Sequence, residues 1–274
     1  MGIKMTFNAM HAAIEAIEAD AMYDMYAAAP ASYARQNGLR YRRFGNAVGL
    51  SHANLVSPVF ARVVGASALE ELASAVAWMD EEGVPGWFAQ LPSTDETEGV
   101  QKDLENQGFK ARGTGWAKFR SASPPAEVKR DPQISVRQVF EPDSARFGDI
   151  VQTAFGLPPT SAEWFAELPG RPRWHTFLAF WQEEPIACGS MYVKGDRAWM
   201  GIGATRAEFR GRGAQSLLLR QRLAHGRSLG VTTVTVEAEQ PAAGREKEYK
   251  SYANCRKAGF APVYVRLNLT RAGS

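Results

Sequence analysis

Two stretches of this chain run through the same elements in the same order, and any fold has to accommodate both. In the first, a helical pattern from Ala68 to Glu82 stops at Gly83-Val84 and a short strand follows from Gly86 to Leu91. A second helix, about Glu96 to Asn106, then ends at Gly108-Phe109, before a last strand through Trp116 and Phe119. In the second, a helix from Ala214 to Leu229 stops at Gly230-Val231 and leads into a strand, Thr232 to Glu237. A helix ending at Gly259-Phe260 and a strand from Pro262 to Leu269 complete it. The glycine markers lie 25 residues apart in one stretch (83 to 108) and 29 in the other (230 to 259). Glycine closes many helices by supplying the left-handed stop. Two matches in the same order, with matching elements between them, point to an internal duplication.

Between the stretches, Ser121 to Pro132 reads SASPPAEVKRDP, a linker composition without apolar periodicity. It divides the chain into units of 1–122 and 133–274, each large enough for a core. Upstream in the second unit, Ile134 to Val139 alternates as a strand and Pro142 to Phe155 is helical. Strands are expected at Thr176 to Trp181 and Ala187 to Val193, joined by a turn around Glu183 to Pro185. Lys194-Gly195-Asp196 signals a hairpin into Ala198 through Ala204. The pattern predicts an α/β (α+β) architecture of open, mostly antiparallel sheets flanked by helices. The N-terminus, with Glu15, Glu18 and Asp20 inside its alanine-rich stretch, is an amphipathic helix from about Ala9 to Ala28 and not a signal peptide.

The chemistry concentrates in Gly201 to Leu219, GIGATRAEFRGRGAQSLLL. A strand ends near Thr205, and Arg210-Gly211-Arg212-Gly213 opens a helix-forming run. Glycines let a ligand approach the main chain, and the first helical turn offers unpaired N–H groups and the positive end of its dipole. Together they suit a phosphate or diphosphate. Between Thr205 and Arg227 six arginines face only Glu208, a local 6 − 1 = +5 in a chain of net +3. The segment lacks the Gly-Lys-Ser/Thr of a P-loop, and no glycine follows Gly213 at the dinucleotide-fold spacing.

These residues resemble the acetyl-CoA loop of the GNAT superfamily of N-acetyltransferases, Gln/Arg-x-x-Gly-x-Gly/Ala, with Arg210 and Gly213 in register and Gln215 where Gly or Ala is usual. The resemblance spans about Ile134 to Leu269. It is fainter in the first half, where Gly65-Ala66-Ser67 enters a helix without an arginine–glycine loop. It implies a tandem pair, the C-terminal copy competent and the N-terminal copy degenerate. It further implies that Gly203, Ala204 and Thr205 meet the pantetheine arm on a strand splayed from its neighbour. The flanking Gly201 and Gly203 suit a bulge in that strand. Amides of Gly211, Arg212, Gly213, Ala214, Gln215 and Ser216 would hold the diphosphate.

The family's frequent acid, a tyrosine four places before the last Gly-Phe glycine, falls on Cys255; Tyr252 and Tyr249 are its possible replacements. Glu237 and Glu239, on one face of a strand, are candidate bases. His175 is expected to be structural, and Trp164, Phe165, Trp174, Trp181 and Trp199 are core or pocket wall.

The expected activity is acetyl transfer from acetyl-CoA, a co-substrate, to a small-molecule primary amine, with no metal. The alternative is a non-catalytic acyl-CoA-binding or regulatory protein. The low net charge argues against nucleic acid as a partner. The scarce Cys and His argue against a disulfide framework or metal cluster. The apolar Leu50–Leu69 stretch is too interrupted to span a membrane. A cytoplasmic location is expected, and the oligomeric state, a homodimer included, stays open.

Overall fold

The computed structural model describes residues 8–83, 85–121 and 131–271. Val84 and residues 122–130, on which the first glycine stop and the linker partly rest, lie outside them. The first half contains α1 (Ala9–Ala27), α2 (Ala31–Gln36), β1 (Arg40–Phe44), β2 (Ala47–Ser51), β3 (Arg62–Val64), α3 (Leu69–Glu81), β4 (Phe88–Ser93), α4 (Glu98–Asn106), β5 (Phe109–Ala111) and β6 (Trp116–Ser121). The second contains β7 (Ile134–Val139), α5 (Ser144–Phe155), α6 (Ser161–Phe165), β8 (Trp174–Trp181), β9 (Glu184–Lys194), β10 (Arg197–Thr205), α7 (Ala214–Ser228), β11 (Thr233–Glu239), α8 (Lys250–Lys257) and β12 (Phe260–Arg271).

The glycine stops hold: Gly108, Gly230 and Gly259 all have φ near +80 to +90°, the region open to glycine. The turn before β9 falls one residue early, on Gln182 and Glu183, because Gln182 itself takes φ 54° and Pro185 joins the strand opposite Phe180. No described helix is long and apolar enough to cross a membrane.

The two expected sheets are one. The strand order is β1-β2-β3-β4-β12-β6-β11-β10-β9-β8-β7, with β5 also on β12. The last strand of each half has crossed into the other. β12 pairs with β4 from Leu269↔Ala89 to Val265↔Ser93, and β6 pairs with β11 from Glu239↔Trp116 to Thr235↔Arg120. The exchanged strands lie antiparallel against each other. Two separate open sheets would present four bare edges; the exchange leaves two, β1 and β7. Among the described residues only two strand pairs are parallel, β3 with β4 and β10 with β11. A helix, α3 or α7, makes the crossover in each.

Helix α1 lies over this seam, and its acids are not solvated. Glu18 and Glu15 are buried, as are Arg62 on β3, Lys118 on β6 and Arg266 on β12. Glu18 accepts from Arg266 Nη2 at 2.8 Å, contacts Lys118 Nζ, and lies 3.4 Å from Arg62 Nη1. Glu15 accepts from Tyr264 Oη at 2.5 Å and from Arg266 Nη1 at 3.4 Å. Glu237 on β11 is the third carboxylate, paired with Lys118 at 3.1 Å and Arg266 at 2.5 Å. Three cations thus face three anions where the halves interlock.

Candidate active site

The site begins where β10 and β11 part. Their parallel pairing covers only Arg197↔Thr233 to Met200↔Val236, although the strands continue to Thr205 and Glu239. On its other side β10 stays on β9, apart from a bulge between Gly201 and Ala204. Gly201 is required there, since a Cβ would stand 1.8 Å from the Trp199 ring. Ile202 takes φ 50°, a left-handed conformation that costs a β-branched residue about 1–3 kcal/mol. The bulge anticipated from Gly201 and Gly203 is therefore present. Gly203 is exposed, Ala204 buried and Thr205 half-buried along the diverging part of the strand.

After a short 3-10 turn at Ala207–Phe209, Gly211 (φ 84°) and Gly213 (φ 89°) bring the chain to the start of α7. The amides of Gly211, Arg212, Gly213, Ala214, Gln215 and Ser216 make no hydrogen bond to another described residue; the first to do so is Leu217, to Gly213 O at 3.0 Å. The first turn holds no acid, and a Cβ on Gly211 would meet nothing within 4 Å. Open amides, an unopposed dipole and free space fit a diphosphate. The arginines are partly committed: Arg210 Nε donates to Thr205 O at 3.3 Å, and Arg212 lies 4.4 Å over the Trp181 ring.

Gln215 neither crowds this surface nor leaves the protein. Its Nε2 turns under the loop and donates to Ala204 O at 2.7 Å, Thr205 Oγ1 at 3.1 Å and Cys188 O at 3.3 Å. It thereby ties the helix to the diverging strand, and one β10 carbonyl, that of Ala204, is already engaged.

The equivalent turn in the first half is filled. Glu71 of α3 accepts from the amides of Ser67 and Asn46, each at 2.9 Å. A Cβ on Gly65 would stand 2.4 Å from Ala19 of α1. A carboxylate and a helix occupy the space that stays open before α7.

A cleft of about 1150 Å³ runs through the gap between β10 and β11. One wall is apolar and drawn from both halves: Met22 and Met25 of α1, the 54–60 segment, Val151 and Phe155 of α5, and Phe165. The other is α7 and α8, with Gln215, Leu219, Arg222, Tyr249, Tyr252 and Cys255. Glu237 and Glu239 lie between. All three catalytic candidates, Cys255, Tyr252 and Glu237, therefore line one space. Burial pushes the Cys255 thiol up to about 12. Tyr252 is half-buried, its ring edge-on to Phe119 at 5.0 Å. Glu239 is exposed and makes no ion pair among the described residues, whereas Glu237 is locked to three cations.

Phe165 and Trp199 line the cleft, while Trp164 and Trp174 belong to the core. His175 sits away from it, its Nδ1 2.9 Å from Nε2 of His225. Two buried cations of the cleft, Arg62 and Arg222, were not among the sequence candidates. Arg222 was counted among the arginines of a basic helix, yet it is buried. Its place two turns after Gln215, among Leu218, Leu219 and Leu223, marks the inward face of α7.

Residues 145–250 match the Acetyltransferase (GNAT) family. Among solved structures, a GCN5-related N-acetyltransferase from Sphaerobacter thermophilus is similar at 17% identity and TM-score 0.59, over 83% of this chain and 82% of that one. Another, from Kribbella flavida, is similar at 17% identity and TM-score 0.58, over 95% and 96%. A search of curated proteins gives no match. Residues 145–250 are thus similar to the Acetyltransferase (GNAT) family, and the molecule shares its fold with the solved GCN5-related N-acetyltransferases named above.

Proposed function

We propose that this protein moves an acyl group from acetyl-CoA to a primary amine by direct attack on the thioester. The observation that carries the reading is the coincidence of a diphosphate-sized set of free amides, from Gly211 to Ser216, with a gap between β10 and β11 that opens into a carboxylate-lined cleft. In this reading the amides of α7 hold the diphosphate, and β10 at Gly203, Ala204 and Thr205 lies along the pantetheine arm. Glu239, the unpaired carboxylate, receives the amine's proton; Glu237, held by Lys118 and Arg266, contributes fixed charge. Tyr252, rather than Cys255, protonates the departing thiolate in this reading. A thiol raised to about 12 is a poor donor at neutral pH.

We read the chain as a tandem pair divided at 1–122 and 133–274, with the N-terminal copy degenerate. The carboxylate of Glu71 on its helix start supports this, since an anion there repels a phosphate. The first half caps the acceptor side of the cleft through its 54–60 segment and α1.

Calorimetry with CoA and acetyl-CoA, beside a thiol-release assay on a panel of amines, tests the reading. Wild-type protein should bind both, and Arg210→Glu should weaken binding by about tenfold or more, by losing a charged donor and adding a like charge to the phosphate. Unchanged affinity refutes the site. Binding without turnover on any amine favours an acyl-CoA-binding protein.

A further inference from the structure

Arg222 is a buried cation with no carboxylate partner among the described residues. Its Nε donates to Leu218 O at 3.2 Å, and its Nη1 donates to Ser190 O at 2.8 Å and Gly201 O at 3.3 Å. No described residue accepts from Nη2, and no described carboxylate forms an ion pair with this guanidinium. The molecule makes room for it: a Cβ on Gly189 would stand 2.7 Å from its Cζ. Burial pulls its pKa down to about 10, which leaves it charged at neutral pH.

A lone buried charge is costly unless something pairs with it. Elsewhere this chain obeys that rule, since Lys118 and Arg266 each meet carboxylates. Arg222 differs in position as well. It lines the cleft, and its Nη2 is 3.8 Å from where a Cβ on Gly203 would be, beside the bulge at the parting of β10 and β11. The proposed function lays the pantetheine arm along β10 from Gly203 to Thr205, and the acyl group at the end of that arm would reach the parting beside Gly203, so the inference rests on that reading.

We propose that Arg222 selects the acyl chain: its free Nη2 receives the terminal carboxylate of a short dicarboxylic acyl group, of the malonyl or succinyl class, in preference to an acetyl group. The transfer itself is unaltered. The amine nitrogen gives up a proton and bonds to the thioester carbonyl carbon, the C–S bond breaks, and the thiolate takes a proton. The distal carboxylate and Arg222 exchange none.

Calorimetric titration of the full chain with CoA, acetyl-CoA and succinyl-CoA decides it. Succinyl-CoA is expected to bind at least about tenfold more tightly than acetyl-CoA, the range for one charge-assisted bond in a buried site. In Arg222→Met the ratio of the two affinities should fall to near one; because the ratio is the readout, a general weakening cancels. Where that variant does not fold, the wild-type ratio alone settles the matter. Equal affinities in the wild-type protein, with CoA bound, overturn the inference and leave the acyltransferase reading standing. Failure of all three ligands to bind overturns both.

Discussion

Replacing Glu18 with Gln keeps the side chain's shape and removes the charge that Arg266, Lys118 and Arg62 share. An exposed pair would be worth at most about 1 kcal/mol. Here Glu18 and all three cations are buried, and stripping one partner from such a set typically costs about 3–5 kcal/mol. That is a large part of a stability on the order of 5–15 kcal/mol, and roughly 10 °C in melting temperature at about 2–4 °C per kcal/mol. The expected result is a melting temperature and urea midpoint well below wild type. The charge count supplies an internal check. Glu18→Gln leaves three cations facing two anions, whereas adding Lys118→Met restores two of each, Arg62 and Arg266 against Glu15 and Glu237. The double variant should therefore be more stable than Glu18→Gln alone. A loss under about 1 kcal/mol, or a double variant that loses the sum of two costly singles, refutes the account.

Three further outcomes follow from the same geometry. Burial alone would raise the Glu18 carboxyl, but Arg266, Lys118 and Arg62 outweigh it and hold the group far below the usual range. Its stabilising effect is thus complete above the ordinary carboxylate pKa and lost as pH falls below it, a dependence that urea midpoints should show and Glu18→Gln should lack. His52 acts higher. Burial depresses it from 6.5 to about 4, while it accepts from Asn54 N at 3.2 Å and meets Tyr33 Oη at 3.1 Å. It contributes stability above pH 6.5 that drains away toward pH 4, so His52→Gln should flatten the urea-midpoint profile across that window; a profile unchanged by the variant contradicts its burial as a neutral ring. At the cleft, Tyr252→Phe should lower kcat by about tenfold to a hundredfold with little change in KM for the acyl-CoA, and Cys255→Ala should not. The reverse pattern in steady-state kinetics would reassign the proton donor.

The strand–loop–helix at Gly201–Ser216 was legible because its signals are local: glycines at positions of positive φ, and a helix start without acids. Element order was legible for the same reason, through glycines that end helices. The strand exchange was not. Trp116–Ser121 and Phe260–Arg271 each read as a strand, but alternation does not say which neighbour a strand will take. One clue was available: Lys118 and Arg266 occupy positions in these closing strands that a solitary apolar core would reject, and Glu15 and Glu18 recur one helical turn apart on α1. Arg222 was hidden by composition, because five other arginines nearby made it look like part of a solvated face. The short elements α2, α6, β1 and β2 were missed for want of length, and β1 is a mostly exposed basic edge with no apolar pattern.

The interlocked closing strands make each half the other's scaffold. Neither half contains the complete set of neighbours its own parallel pair requires, so an isolated fragment would leave β4 or β11 with a bare flank. Halves expressed separately should be insoluble, and soluble when co-expressed. Loss of either half would strip the other of a central strand, so the two are retained together by their shared sheet, whatever either does to a substrate.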